Sequence, residues 1–331
     1  MKISEIKGVN LGGWLVLERW IASDVFRDTD ANDEYSLCLE LGSEQAVKRL
    51  AQHRGSFITE QTIARIADSG LNTVRLPVGY WLFGDAEPFV DGASRHVDQL
   101  FSWAQKYSIR VILDIHAVPG SQNGWDHSGR AGEISWHKDP SNIEATLDFL
   151  AHLCERYGNH TSLEAIEVLN EPHWDIPLSV LVDYYHRAYQ IVRGTCSGKV
   201  AVIFSDSFRA GKVSRVLSDS AMENITLDMH LYQLFTDQDR ELDLEGHLHK
   251  ACRQWPKTIR EASSRLPVLV GEWSAAMDES RVDYTNDDYC RYFKTQIEMF
   301  ESQHVGWVYW TVRTQDGGAW SLLDHPEFIA S

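Results

Sequence analysis

Eight short runs rich in β-branched and aromatic residues recur along this 331-residue chain, and longer stretches with helical spacing of apolar side chains separate them. The predicted strands lie near 6–12, 71–76, 110–116, 164–170, 199–205, 224–231, 266–272 and 304–311. Strands that alternate with helices predict a parallel sheet covered by crossover helices. Eight such units are most economically closed into a (β/α)8 barrel, the TIM-barrel architecture of the α/β class.

A doubly wound open sheet is the alternative architecture. It requires a glycine-rich phosphate loop after an early strand, and Gly8, Gly12 and Gly13 do not fit the G-x-G-x-x-G pattern. No linker, repeat or low-complexity tract marks a boundary, so we expect a single domain over 1–331. The stretch from about Asp33 to Arg54 is predicted to be an extra helix inserted after the first strand, and the last barrel helix is predicted to be short.

Charge and cysteine usage narrow the possible partners. The chain has 31 basic and 48 acidic residues, a formal net charge of −17, which repels nucleic acid and anionic membrane surfaces. The segment from Met1 to Trp20 holds no recognisable secretion signal, which favours a cytoplasmic protein unless a leader has been removed. The five cysteines form no C-x-x-C pair and are expected to be free thiols.

Polar side chains cluster at the ends of the predicted strands, where (β/α)8 enzymes build their active sites. Glu171 and Glu272 each follow an apolar run, at the ends of the fourth and seventh strands. Glycosidic cleavage needs two carboxyl groups, one protonated to assist the leaving oxygen and one ionised to attack or to activate water. Arg75 on the second strand would hold Glu272 ionised, and repulsion would keep a proton on Glu171. Two ordinary solvated glutamates are the alternative.

Seven sequence words appear in order along the chain: KGVNLGGWLVLE, LNTVRLPVGYW, LDIHAVPGSQNGWDHSG, EVLNEPHW, DMHLYQLF, LVGEWS and GWVYWTV. Together they resemble family 5 of the glycoside hydrolases, which belongs to the clan of retaining (β/α)8 enzymes. The likeness spans roughly residues 6–322. Through NLGGWLVLE, PGSQNG and the H-x-Y-Q-x-F segment, the chain is most similar to fungal exo-β-1,3-glucanases.

The resemblance implies roles for individual residues. Glu171 in N-E-P matches the general acid/base, and Glu272 in G-E-W matches the nucleophile. The other matches are substrate-binding. They are the 2-hydroxyl partner Asn170, the nucleophile partners Arg75 and Tyr232, the glycosyl-lining His116 and His230, the hydroxyl-binding Glu18 and Asp126, the floor Trp310, and the entrance clamp of Trp125 and Phe235.

The resemblance also implies the substrate, a β-glucan oligosaccharide or β-glucoside. We expect no metal or organic cofactor, because both chemical steps use only carboxyl groups and water, and we expect a monomer. Two departures from the fungal pattern are visible, because those enzymes usually carry Phe where Trp125 stands and Asn where His127 stands. They are also secreted with disulfides. Linkage preference therefore stays open, and an endo-acting β-1,4-glucanase or a mannanase of the same family is the alternative.

Two readings outside the family remain. Asp114 with His116, and Asp228 with His230, each place a carboxylate and an imidazole on one strand face, as metal-dependent barrel hydrolases do. Glu18 or Asp206 would supply further metal ligands. The other reading is a carbohydrate-binding barrel without turnover, and the presence of both glutamates and Arg75 argues against it.

Overall fold

The computed structural model describes residues 2–84 and 86–329, and its centre is a closed parallel barrel in which each strand pairs with the next and the last pairs with the first. The strands are β1 (Lys7–Asn10), β2 (Thr73–Gly79), β3 (Arg110–Ala117), β4 (Leu163–Glu167), β5 (Ala201–Ser205), β6 (Ile225–Leu231), β7 (Val268–Trp273) and β8 (Gly306–Tyr309). All eight predicted strands are confirmed, and the doubly wound alternative is wrong because β1 and β8 close the ring.

Helices cover the outside of the barrel between successive strands. They are α1 (Glu34–Ser56), α2 (Glu60–Asp68), α3 (Ser94–Tyr107), α4 (Pro140–Tyr157), α5 (Leu178–Thr195), α6 (Ala210–Ser218), α7 (Asp237–Arg240), α8 (Leu244–Arg253), α9 (Trp255–Ser263), α10 (Asn286–Ser302) and α11 (Pro326–Ile329). Within the described ranges, no helix has both the length and the apolarity needed to cross a bilayer.

The helix inserted after β1 is α1, as predicted. It begins where the Asp33 side chain accepts a hydrogen bond from the backbone N–H of Ser36, which satisfies one of the free donors of the first turn. Gly42 interrupts the helix with a φ of 70°, a left-handed conformation that glycine adopts without steric cost. The last barrel helix, α11, is four residues long, so the predicted short final helix is also confirmed.

The barrel interior changes character along its axis. A buried cluster of Ile6, Ile112, Ala165, Ala201, Ile203, Leu269 and Val308 comes mostly from alternate positions of the strands and fills the lower part. Two residues further along several strands, the inward positions carry polar side chains instead, such as Asp114 on β3 and Glu167 on β4. The barrel therefore has an apolar base and a charged layer beneath its C-terminal mouth.

Three strands, β1, β4 and β8, end earlier than the sequence pattern predicts. Ladder pairing of β4 stops at Glu167, and the chain then turns into the barrel mouth, where Glu171 adopts a φ of 43°. Pairing of β8 stops at Tyr309, so Trp310 follows the strand. Non-glycine residues in the left-handed region are uncommon and concentrate at functional sites. The backbone conformation of Glu171 therefore indicates that the functional site lies at the barrel mouth.

Candidate active site

Arg75 is the centre of the charged layer. Its guanidinium is fully buried and donates to Glu167 at 2.8 Å, to Asn10 at 2.9 Å, to Asn170 at 2.7 Å and to Glu272 at 3.0 Å. A further carboxylate, that of Asp114, lies 3.2 Å away. A buried cation is tolerated only when its donors are matched by partners, and these five side chains provide them.

The structure brings the two predicted carboxyl groups together. One oxygen of Glu171 and one of Glu272 lie within 4.8 Å of each other and of a nitrogen of His230. Both glutamates are largely buried, at 7% and 5% exposure. The alternative that they are ordinary solvated surface charges is therefore wrong.

Each oxygen of Glu272 has its own donor. Arg75 donates to Oε1, and the Tyr232 hydroxyl donates to Oε2 at 2.9 Å. Tyr232 and Arg75 thus fix the carboxylate plane, as the sequence resemblance implies. Both donors favour the ionised form, which is the form that a nucleophile requires.

Glu171 lies between two imidazoles. Nδ1 of His230 is 2.6 Å from Oε1, and Nε2 of His127 is 3.3 Å from Oε2. The backbone is held as well, because Asn123 donates its amide to the carbonyl of Glu171 at 3.2 Å. His230 was expected to line the glycosyl unit, but its polar atoms contact the carboxylates. His127 was noted only as a departure from the family pattern.

The carboxylates around His230 favour its protonated form. Burial opposes its protonation, but Glu272, Asp228 and Glu171 surround it and raise its pKa well above the ordinary value. Its second nitrogen lies 3.3 Å from Asp228, so both ring nitrogens point at carboxylate oxygens. An imidazolium that donates on both sides is the arrangement that satisfies these contacts.

The pKa values of the two glutamates are ordered opposite to the expectation from the sequence. Burial raises the pKa of Glu272 to about 7, and the charge of Glu171 adds to that rise. Burial also disfavours the charged form of Glu171, but the closer His230 outweighs it and lowers the pKa to about 2. The sequence argument considered Arg75 and mutual repulsion and could not include His230.

Trp310 and His116 form a stacked surface beneath the mouth. Their rings are nearly parallel, at 11°, with centroids 5.6 Å apart. His116 is oriented by Asp114, whose carboxylate lies 2.6 Å from Nδ1. A Cβ added to Gly12 would lie 2.7 Å from the Trp310 ring, which explains glycine in the N-L-G-G-W word. The geometry is compatible with the floor role implied for Trp310.

The other implied hydroxyl-binding groups border the same space. Asn170 accepts from Arg75 through Oδ1, which leaves its amide nitrogen without a partner among the described residues. Glu18 is 5% exposed, and burial together with the charges of Asp126 and Glu272 raises its pKa well above the ordinary value. Glu18 accepts from Nε1 of Trp20 at 2.9 Å through one oxygen. Its other oxygen and the unpartnered amide nitrogen of Asn170 are suited to sugar hydroxyls.

Trp125 and Phe235 belong to two separate aromatic groups. Trp125 contacts Trp174 and Phe208, with ring centroids 6.2 and 5.9 Å away, and we call these three rings the first aromatic group. Phe235 contacts Tyr232 at 5.2 Å and Trp320 at 6.5 Å, which form the second aromatic group with Trp20.

Exposure of these rings is unusual for a core. Phe235 is 62% exposed, Trp174 49% and Phe208 41%, so both groups present apolar faces to solvent. Phe208 has a positive φ of 56°, and Arg209 ties its loop to the backbone of Trp174 and Ile176 with 3.0 Å hydrogen bonds. Sequence reasoning missed Trp174, Phe208, Trp20 and Trp320, because aromatic residues are ordinary core formers.

Other site residues were missed for a similar reason. Asn10 and Glu167 lie inside strands, where a single polar residue in an apolar run carries little signal. Both contact Arg75, and Asn10 also donates to the carbonyl of Gly271 at 2.9 Å, next to Glu272. The inward two-residue periodicity of the strands could have identified them.

Within residues 2–84 and 86–329, two triads of ligand atoms are close enough to hold a metal ion: Glu167, Asp228 and His230, and Glu171, His230 and Glu272. Both depend on His230, and the surrounding carboxylates raise its pKa, so a metal would have to displace the proton that they favour. Arg75 already supplies a fixed positive charge to Asp114, Glu167 and Glu272. The donor chemistry therefore fits a protonated imidazole better than a metal.

Comparison with known proteins gives a consistent result. The model of the cellulase family, glycosyl hydrolase family 5, matches residues 40–316. A probable glucan 1,3-beta-glucosidase A of Aspergillus fumigatus is 34% identical over 364 residues, which cover 96% of this chain and 85% of that protein. Glucan 1,3-beta-glucosidase 1 of Schizosaccharomyces pombe is 35% identical over 345 residues, covering 94% of this chain and 83% of that protein.

Among solved structures, the rutinosidase from Aspergillus niger superposes with a TM-score of 0.85 at 22% sequence identity. The superposition covers 100% of this chain and 99% of the rutinosidase chain. At this identity the likeness supports the barrel architecture alone.

Proposed function

This chain belongs to glycosyl hydrolase family 5, and on that premise we propose that it is a retaining exo-β-1,3-glucanase or β-glucosidase that releases glucose from β-glucan oligosaccharides or β-glucosides. The curated relatives named glucan 1,3-beta-glucosidase support the linkage. An endo-acting β-1,4-glucanase or a mannanase is the alternative within the family.

The distance between the two carboxyl groups is the observation that supports the mechanism. The oxygens of Glu171 and Glu272 lie within 4.8 Å of each other, whereas an inverting enzyme needs its carboxyl groups about 6.5–9.5 Å apart to admit a water. A pair held about 5–5.5 Å apart leaves room for the sugar carbon alone. The geometry therefore supports double displacement with retention of configuration.

In the first step, Glu272 attacks the anomeric carbon while Glu171 donates a proton to the departing glycosidic oxygen. A glycosyl ester forms on Glu272, and the leaving group departs as an alcohol. Arg75 and Tyr232 hold the attacking carboxylate, and the free amide nitrogen of Asn170 is available to the sugar 2-hydroxyl.

In the second step, Glu171 removes a proton from a water that attacks the same carbon. The bond to Glu272 breaks, and glucose leaves with the β configuration of the substrate. Both steps use carboxyl groups and water of this chain's own site.

The carboxylates around His230 favour a proton on its ring, 2.6 Å from Glu171. We infer that this proton moves to Glu171 when substrate excludes water, while Glu272 stays ionised as the attacking anion. The short contact makes the transfer possible without rearrangement of the backbone. The pair titrates as a coupled unit, so the pH profile reports the pair.

The configuration of the first-formed product tests retention. Proton NMR during hydrolysis of an aryl β-glucoside is expected to show β-glucose before mutarotation produces the α-anomer. An initial α-glucose signal would reject double displacement. Full activity after exhaustive treatment with EDTA is also expected, and loss that Mg²⁺ or Zn²⁺ restores would revive the metal-dependent alternative.

A product profile on β-1,3-, β-1,4- and β-1,6-linked gluco-oligosaccharides tests the substrate. Glucose released singly from β-1,3 chains supports the proposal, whereas mixed oligomers from β-1,4 chains or mannan support the alternative. We further propose a monomer, since one chain supplies every residue of the proposed site, and light scattering during gel filtration tests it. We also propose a reducing, cytoplasmic location, and the five free cysteines support this proposal.

A further inference from the structure

His127 occupies the side of Glu171 that faces away from His230. It lies in the short 3-10 helix Asp126–Ser128, in the connection that follows β3. Its Nε2 is 3.3 Å from Oε2 of Glu171, while His230 contacts Oε1. The His127 side chain is 15% exposed. The carboxyl group of Glu171 is therefore bracketed by one imidazole on each oxygen.

Nε2 is the nitrogen through which His127 contacts Glu171. Its other nitrogen, Nδ1, is buried and has no hydrogen-bond partner within residues 2–84 and 86–329. The ring packs between Trp125 and His116, with centroids 5.5 and 5.1 Å away. A histidine that anchors structure usually bonds through both nitrogens, so one unsatisfied nitrogen calls for a functional explanation.

The charge state of His127 determines how it acts. Burial lowers the pKa of His127 to about 4, against the negative charges of Glu171 and Asp126 and with the help of His116 and His230. Around neutral pH the ring is neutral and can donate one N–H. It therefore contacts Glu171 as a neutral N–H group and not as a counter-ion, across 3.3 Å compared with 2.6 Å for the hydrogen bond of His230.

We propose that His127 is a positioning residue for proton transfer to and from Glu171, a role that rests on the proposed function. Nε2 lies 3.3 Å from Oε2 without an aligned hydrogen bond, and catalytic hydrogen bonds often align only when substrate binds. In that complex His230 and His127 each donate to one oxygen and fix the rotation of the Glu171 carboxyl group. An Asn amide at this position would also offer an N–H, whereas the imidazole additionally packs between Trp125 and His116.

The proposal gives a direction for the pH profile. A donor to the carboxylate favours the ionised form of Glu171, so its removal raises the pH at which the site loses its catalytic proton. The charged or titratable groups that face Glu171 and share in this titration are His230, His127, His116, Glu272, Glu18, Asp114 and Asp206. All of them except His127 itself remain present in a His127 variant, so the comparison with the unaltered enzyme isolates the lost donor.

The experiment compares His127→Leu and His127→Asn with the unaltered enzyme on two aryl β-glucosides. 2,4-Dinitrophenol leaves without acid assistance, whereas 4-methylphenol needs it. For His127→Leu we expect kcat/KM to fall about tenfold or more on the 4-methylphenyl substrate, within the range of general-acid effects, and little on the other. The alkaline limb of the profile should move to higher pH. His127→Asn should recover part of the loss.

Two outcomes would overturn the proposal: an equal loss on both substrates, or an unshifted alkaline limb in His127→Leu. His137→Leu is the matched control, because His137 lies ten positions further along the same connection and is only partly buried. It should leave both substrates unaffected. Thermal melts of each variant separate misfolding from loss of positioning.

A different set of results would contradict the proposed function itself. If Glu171 is not the acid, Glu171→Gln retains activity on the 4-methylphenyl substrate, whatever His127→Leu does. If Glu171→Gln loses that activity while His127→Leu behaves like the unaltered enzyme, the inference about His127 fails alone.

Discussion

Arg75 donates through Nη1 to Oε1 of Glu272 across 3.0 Å, and the two side chains are 0% and 6% exposed. The same guanidinium binds Asn10, Asp114, Glu167 and Asn170. The group that orients the proposed nucleophile is therefore also the main charge partner of the barrel interior.

Arg75→Met is expected to lower the free energy of unfolding by about 3–5 kcal/mol, because it leaves buried carboxylates without a cation. Urea unfolding measures the loss. Arg110→Met is the control, since Arg110 is 44% exposed and lies 3.8 Å from Glu164, and it should cost less than about 1 kcal/mol. Equal losses in the two variants would contradict a central role for Arg75.

Gly271 leaves room for the carboxylate that supports His230. A Cβ at this position would clash with Oδ2 of Asp228, whose Oδ1 accepts from the backbone N–H of Gly271 at 2.6 Å. Gly271→Ala should displace Asp228 and reduce kcat/KM on aryl glucosides at least tenfold. Gly55→Ala, whose added Cβ meets nothing within 4 Å, should leave it unchanged. Retained activity in Gly271→Ala would mean that Asp228 does not support the site.

Trp174 is expected to bind sugar units on the leaving-group side. Its half-exposed ring continues the surface of Trp125 and Phe208. Trp174→Ala should reduce kcat/KM several-fold on laminaritetraose and leave laminaribiose nearly unchanged, because stacking on an aromatic face contributes about 1 kcal/mol. Leu39→Ala, on exposed α1, is the control. Equal losses on both substrates would place Trp174 elsewhere in the binding path.

Glu171→Ala tests the division of roles between the two glutamates. Without the acid, substrates with good leaving groups should still form the glycosyl ester, and the second step should become limiting for lack of a base. Added azide, which needs no base, should restore turnover and yield the β-glucosyl azide. Glu272→Ala should show neither behaviour with retained configuration. If Glu272→Ala gives the rescued β product instead, the two roles are exchanged.

His53 makes the fold sensitive to mild acid. Burial lowers its pKa to about 4, from about 6.5 in an unfolded chain, and its Nε2 lies 2.8 Å from the carbonyl of Gly13. As the pH falls from 6.5 to 4, the unfolded chain binds a proton that the folded chain refuses, so stability falls by up to about 3 kcal/mol. The contribution of neutral His53 to stability is fully present above pH 6.5.

His53→Gln retains a donor for Gly13 but does not titrate. Chemical unfolding at a series of pH values should therefore show a shallower loss of stability for this variant between pH 6.5 and 4. Parallel curves for the variant and the unaltered protein would show that His53 is protonated equally in both states.

The regular parts of the molecule could be predicted from the sequence because they follow from periodicity. Apolar runs separated by helical stretches located every strand of the barrel. The polar residues at the predicted strand ends identified Glu171, Glu272 and Arg75 as candidates. The predicted ends of β1, β4 and β8 were wrong, because ladder pairing stops at Asn10, Glu167 and Tyr309 although the sequence pattern continues.

The electrostatics could not be predicted from the sequence. The pKa order of the two glutamates depends on whether His230 lies nearer to Glu171 or to Glu272, 2.6 Å against 3.4 Å. No pattern of residues encodes that difference. Trp174 illustrates the same limit, because only its exposure distinguishes it from a core tryptophan.

The pairing of β1 with β8 has a consequence for synthesis on the ribosome. Until the segment Gly306–Tyr309 has left the exit tunnel, the growing polypeptide carries two open sheet edges and lacks the tryptophan that follows. A nascent chain therefore cannot assemble a working pocket in stages, and translation that stops shortly before this point yields an inactive, aggregation-prone fragment.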